Sequence, residues 1–149
     1  MNFSPWLAAP ILFGVGFPLL FAAVMNLLAR LGGWSTLAAA YQTTDVAPKP
    51  RLRLQSADLR HWCNYGRCLT LSADAEALYM QVMFPLGFGH SKLKLPWAEA
   101  DVKHAVHLFG IRTTEFVFLK APNVPIRFRS RTAEALIAQA RAAREASAE

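Results

Sequence analysis

Residues 6–29 read WLAAPILFGVGFPLLFAAVMNLLA, 24 consecutive residues without an ionisable side chain. As an α-helix this run is about 36 Å long at 1.5 Å per residue, against a hydrocarbon core of roughly 30 Å. Pro10 and Pro18 would break a helix in water, and Gly14 and Gly16 would weaken it. In lipid no water competes for the backbone groups, so a helix carrying these residues persists. The reading is a transmembrane helix over residues 6–31. Asn26 is its one strongly polar residue; near the end of the run it is expected at the interface, the alternative being a hydrogen bond to a partner helix.

The rest of the chain has a different composition. The protein has 149 residues, a prior for one folded domain, with 16 Lys+Arg against 10 Asp+Glu and a formal charge of +6. None of these charges falls in residues 1–29, so they concentrate in the remainder. With 54% hydrophobic residues and two cysteines, a disordered tail and a disulfide-dense mini-protein are both excluded.

A cleaved signal peptide is the main competitor for the apolar run, with Ala38-Ala39-Ala40 as small residues a peptidase could read. Against it, no Lys or Arg precedes the run, the run exceeds the usual 7 to 15 residues, and the small residues lie well beyond its end. Arg30, Lys49, Arg51 and Arg53 follow the helix against the single acid Asp45. The positive-inside rule then puts the N-terminus outside and the bulk of the chain in the cytoplasm.

Gly32-Gly33 stops the helix. Trp34, Leu37, Ala38 and Tyr41 then recur at helical spacing, one apolar stripe bearing two amphipathic aromatics. Two readings are open for it: a short helix at the headgroup level, with Trp6, Trp34 and Tyr41 as membrane anchors, or the first helix of the soluble domain packed on its core. Residues 34–50 form this juxtamembrane helix and a linker, QTTDVAPKP, rich in turn formers.

Beyond Pro50 the hydrophobic period changes from 3.6 to 2. Arg51-Leu52-Arg53-Leu54 alternates, and residues 67–72, 77–84, 91–95, 102–109, 112–119 and 124–129 are strand-length runs rich in Val, Ile, Leu, Phe or Thr. Asn64-Tyr65-Gly66, Ala73-Asp74, residues 85–89, Gly110 and Ala121-Pro122-Asn123 supply the turns. With residues 59–63 counted as well, about seven or eight antiparallel strands follow one another. The chain then returns to a helix, capped by Ser130 or Thr132, whose stripe of Ala133, Leu136, Ile137 and Ala140 should cover the strand layer. Residues 51–147 thus make one mainly-β domain.

Several motifs together resemble a known family: Gly33-Trp34 with Leu37-Ala38 and Tyr41, Asn64-Tyr65-Gly66 with Cys68-Leu69-Thr70, Leu78-Tyr79, Gly89-His90, and Leu95-Pro96-Trp97-Ala98-Glu99. They are similar to those of small bacterial single-pass membrane proteins whose soluble part is a PH-like or GRAM-like domain, although Ala100 stands where a larger aliphatic is usual. The resemblance implies an antiparallel barrel or sandwich closed by a C-terminal helix, at the bacterial inner membrane. It brings no activity and no catalytic residue.

Chemistry-bearing residues are sparse. Cys63 and Cys68 flank Asn-Tyr-Gly-Arg, so a hairpin there would set the sulfurs opposite one another; in a cytoplasmic domain they are expected as reduced structural thiols. A zinc site from Cys63, Cys68, His61 and one of the other histidines is the weaker reading, since the spacing is not that of a zinc ribbon. His104 and His107 would point to opposite faces of a strand. His90, after Gly87-Phe88-Gly89, is placed with Trp97 as a candidate pocket, against the plainer reading of a loop histidine bonded to a carbonyl. Glu99 and Asp101 read as solvated acids. Nucleotide-binding and hydrolase signatures are absent, as is any RNP-type module for nucleic acid.

The basic residues carry more pattern. Arg51 and Arg53, Lys92 and Lys94, and Arg127 and Arg129 each alternate with apolar residues, giving three strands an inner apolar and an outer basic face. The plain reading is a solvated polar face. The functional reading is a surface for anionic lipid headgroups or for a membrane-protein partner. The expectation is a membrane-anchored binding module without enzymatic activity, cofactor or metal. The alternatives are a small metal-dependent or thiol-based enzyme, and a structural subunit of a membrane complex.

Overall fold

The computed structural model describes residues 5–106 and 108–149. An apolar helix, α1 (Pro5–Leu31), leads into a short second helix, α2 (Trp34–Tyr41). Seven strands follow: β1 (Leu52–Leu59), β2 (Cys63–Ala73), β3 (Ala77–Val82), β4 (Leu93–Pro96), β5 (Ala100–Val106), β6 (Arg112–Phe118) and β7 (Ala121–Arg129). Helix α3 (Ser130–Ala148) ends the chain. The strands form one antiparallel sheet in the order β4-β3-β2-β1-β7-β6-β5, curled into a half-barrel. Two meanders are thus joined where β1 meets β7, with Asp58 opposite Arg127 and Leu59 opposite Ile126.

The core follows from period 2. Leu69, Leu71, Leu78, Met80, Leu93 and Leu95 of the first meander are fully buried, as are Phe116, Phe118, Ile126 and Phe128 of the second. Helix α3 lays Ala133, Leu136 and Ala140 on the sheet. It is also pinned by hydrogen bonds: the Ala73 amide donates to Gln139 Oε1 at 3.1 Å, and Arg144 Nε donates to the Ala75 carbonyl.

Helix α2 belongs to this core. Trp34 and Leu37 are 0% exposed and Tyr41 is buried. The Trp34 indole donates to the Ser91 carbonyl at 2.9 Å, and the Tyr41 hydroxyl accepts from the Lys120 amide at 3.0 Å. Of the two readings of this stripe, the core one holds, and Trp34 and Tyr41 do not sit at a headgroup surface. The chain leaving α2 then runs along β4, with Gln42 bridged to Leu93 and the Thr43 amide donating to the Lys92 carbonyl. That covers one edge of the sheet. At the other edge β5 pairs, among the described residues, only with β6, and its alternating Asp101 and Lys103 blunt that edge.

Helix α1 is docked at its C-terminal end. Met25 and Ala29 are buried, and the Gly32 amide donates to the Leu28 carbonyl at 2.7 Å to close the last turn. Gly33 takes a left-handed φ of 95°, which reverses the chain into α2. A Cβ there would also come within 2.7 Å of Val124 and 2.9 Å of Arg60, so glycine is required twice over. Arg60 completes the joint, donating from Nη1 to the Leu31 carbonyl at 3.0 Å and from Nη2 to Thr36 Oγ1 at 3.4 Å.

Three local expectations are corrected. Residues 59–63 are not a strand: Arg60 and His61 have φ of 53° and 66°, making a tight turn across which Leu59 faces Cys63. Asn64-Tyr65-Gly66 is not a turn but lies inside β2, so Cys63 and Cys68 stand on one strand as free, buried thiols. Leu54 does not point inward. Its φ is 55°, the β1–β2 register shifts on both sides of Gln55, and the side chain is 61% exposed. A bulge adds a residue and swings the alternation to the other face. His107 lies outside the described residues.

Because Trp34 fills the centre of the junction, Trp34→Ala is expected to cost about 3–5 kcal/mol of stability. Leu54→Ala, exposed on the bulge, should cost less than about 0.5 kcal/mol. Denaturant titration of the full-length protein in mild detergent measures both.

Candidate functional site

The bulges that displace Leu54 also part β1 from β2. Arg67 lies in β2 with φ of 51°, and its amide leaves the sheet ladder to bond Ser56 Oγ at 2.8 Å. The opening is a groove of about 850 Å³ between these bulged segments, β7 and the first turn of α3. Four arginines line it (Arg67, Arg127, Arg129 and Arg131) against a single acid, Asp58.

Arg127 is the most confined of the four. Its Nη2 donates to His61 Nδ1 at 2.6 Å and lies 3.4 Å from Glu115 Oε2, while its Nε is buried without a partner among the described residues. Since His61 Nδ1 accepts from Arg127, it carries no proton, and its 3.7 Å approach to Glu115 is not a hydrogen bond. Arg67, Arg129 and Arg131 are exposed, and none is in an ion pair among the described residues. A planar guanidinium offers paired N–H donors that match a carboxylate or a phosphate, which gives the groove affinity for anionic groups.

The six cations singled out in the sequence divide. Arg127 and Arg129 enter the groove. Arg51 and Arg53 stand beside Lys49 on a shallow depression at the start of β1, and Arg51 donates from Nε and Nη2 to the Ala47 carbonyl. Lys92 and Lys94 are at the far edge of the sheet, where β3 and β2 separate β4 from β1. Lys94 is tied to Asp45 at 3.1 Å, and that bond, with the Tyr79 hydroxyl acting in the same direction, raises its pKa. The three basic strands therefore do not form one face. Arg67 and Arg131 were missed by sequence reasoning, although Arg127, Arg129 and Arg131 at every second position carry a signal across the strand–helix junction.

His90 and Trp97 do not share a pocket. Trp97 is half-buried on Phe116, ring centroids 5.9 Å apart, and its indole donates to the Asp74 carbonyl at 3.0 Å. His90 is buried against Trp34 and Tyr65. Its Nδ1 bonds the Phe88 carbonyl at 2.8 Å, which fixes the proton there and leaves Nε2 to accept from the Tyr65 hydroxyl at 3.0 Å. Burial pushes its pKa below the ordinary 6.5, with the Phe88 bond opposing. The same burial raises the Tyr65 phenol and the Cys63 and Cys68 thiols, keeping all three protonated at neutral pH. Among the described residues no three His, Cys, Asp or Glu side chains are grouped to hold a metal ion. Trp6 lies near the free end of α1, 86% exposed.

Comparison with protein-family models, curated proteins and solved structures finds no match to this chain.

His90 gives a pH prediction. The unfolded chain takes up a proton near 6.5 and the folded chain only at lower pH, so His90 makes stability fall as pH drops below about 6.5 and has no effect well above it. In full-length protein, denaturation midpoints at pH 8, 6.5 and 5 should decline with acid, and His90→Gln should flatten that decline.

Proposed function

We propose that this protein is a membrane-anchored, non-enzymatic binding module, a PH-like domain held at the inner membrane by α1, whose arginine groove takes an acidic segment of a neighbouring membrane protein. The observation that carries the reading is the groove itself, with four arginines and one acid. The shape of the domain supports the PH-like part, since strands in meanders followed by one closing C-terminal helix are what the family resemblance implies.

Two features support the anchor. Along α1, Leu7, Leu12, Phe13, Leu19 and Leu20 are all more than 60% exposed, an apolar surface that lipid would cover. Removal of α1 and α2 as a signal peptide would delete Trp34 and Leu37, both 0% exposed. Arg30, exposed at the end of α1, favours the cytoplasmic side for the domain.

The extent of the groove suits a protein segment. Its lining runs along β1 from Asp58 to Leu54, about 13 Å at 3.3 Å per residue, and continues across β7 to Arg131 at the start of α3. Three of the four arginines are in no ion pair among the described residues and can engage a carboxylate-rich segment.

The test is a photo-crosslinking residue in place of Leu54 in the full-length protein in native membranes. Adducts should map to an acidic segment of a membrane protein, and Arg129→Glu with Arg131→Glu should reduce their yield at least about tenfold, since each charge-assisted hydrogen bond contributes about 1.5–3 kcal/mol. Lipid adducts alone would move recognition to headgroups. Protein adducts indifferent to charge reversal would remove the groove from the function.

A further inference from the structure

Residues 83–89 read MFPLGFG, with no charged or strongly polar side chain. They connect β3 to β4; Leu86 packs against the core, while Phe88 and Gly89 lie along α1. The Phe88 ring meets Phe21 edge-on with centroids 6.2 Å apart. Gly89, at a φ of 72°, packs so closely on Asn26 that a Cβ would collide with its amide. Phe84 is 88% exposed and Phe88 46%. The apolar surface of the loop is therefore continuous with that of the helix.

The depth of this contact is bounded from both ends of α1. Phe21 is ten residues before Leu31, or about 15 Å, and fifteen residues after Trp6, or about 22 Å, at 1.5 Å per residue. Placing the hydrocarbon boundary at Leu31 puts Phe21 about 15 Å inside. Placing the opposite boundary at Trp6, with a core of about 30 Å, puts Phe21 about 7–8 Å inside. On either placement Phe88 is below the hydrocarbon boundary.

Part of the loop's backbone is satisfied without water: the Met83 amide donates to the Cys68 carbonyl, the Leu86 amide to the Met83 carbonyl, and the His90 amide to the Gly87 carbonyl. The Phe88 carbonyl bonds His90 Nδ1. Polar backbone groups paired in this way lower the cost of entering lipid. Nearby, Trp62 is 60% exposed and adjoins Cys63, whose sulfur touches Gly32 at the end of α1, a position suited to an aromatic at the interface.

We infer that residues 83–89 insert into the bilayer beside α1 as a second membrane contact, with Phe84 and Phe88 in lipid. The inference rests on α1 being a membrane helix. One helix alone leaves a domain free to rotate about the helix axis; a second insertion fixes its rotation and hence the direction in which the arginine groove opens. His90 acts as the buckle, joining the loop to Tyr65 and Trp34.

The test uses full-length protein in phosphatidylcholine vesicles with and without bromine on the acyl chains. An environment-sensitive fluorophore is attached at Phe84→Cys, at Phe13→Cys on α1, or at Lys103→Cys on the exposed edge strand. The unsubstituted protein serves as the labelling blank, its two thiols being buried. The expected result is blue-shifted emission at Phe84→Cys, lost in brominated vesicles as at Phe13→Cys, while Lys103→Cys responds only to aqueous iodide. Iodide quenching at Phe84→Cys with bromine quenching at Phe13→Cys would overturn the loop insertion alone. Iodide quenching at both would overturn the membrane reading of α1 and the insertion with it.

Discussion

The joint between α1 and α2 is the constraint on which the rest of the structure depends. Three groups make it: Gly33 supplies the left-handed turn, Trp34 enters the core immediately after it, and Arg60 donates to the Leu31 carbonyl at the end of α1. A flexible linker would have left the apolar helix and the β domain independent. Here the last turn of one is capped by a side chain of the other, so the domain takes its position from the helix. The position of the groove and of the 83–89 loop follows from that joint.

The groove, in turn, follows from a defect in the sheet. Where β1 and β2 keep regular register, at Ala57 opposite Tyr65 through Leu59 opposite Cys63, the strands close on each other. Two register shifts above that point turn Leu54 outward and set Arg67 in a left-handed conformation, opening a space that β7 and α3 line with further arginines. Bulges are common where a sheet must present side chains rather than seal them. Of these cations Arg127 is paired with Glu115, while Arg67, Arg129 and Arg131 are in no ion pair among the described residues.

Much of the architecture was legible in the sequence because it rests on periodicity. The uninterrupted apolar run, the alternation in β2 to β4 and β6 to β7, and the Ala133-Leu136-Ala140 stripe each follow one hydrophobic period. The arginine groove was only half legible. Arg127 and Arg129 are visible through their alternation with Ile126 and Phe128, but Arg67 opens the run 67–72 with no basic partner two residues away to mark it. The residues that reverse the chain, Arg60 and His61, are not ones that favour a left-handed φ, whereas Asn64-Tyr65-Gly66 has turn chemistry yet lies within a strand. Bulges depend on long-range pairing, so no local pattern announced that Leu54 would face out. Trp34 and Tyr41 show the same limit: an amphipathic aromatic stripe suits a headgroup layer and a protein core equally, and the tertiary contacts with Ser91 and Lys120 decide it.

The central claim is that α1 and α2 are permanent parts of the protein, joined to the β domain rather than removed from it. Intact-mass measurement of the protein extracted from native membranes tests this most directly. The account predicts a species that retains the sequence upstream of Trp34. A mature species beginning at or just after Ala38-Ala39-Ala40, released from the membrane, would contradict it.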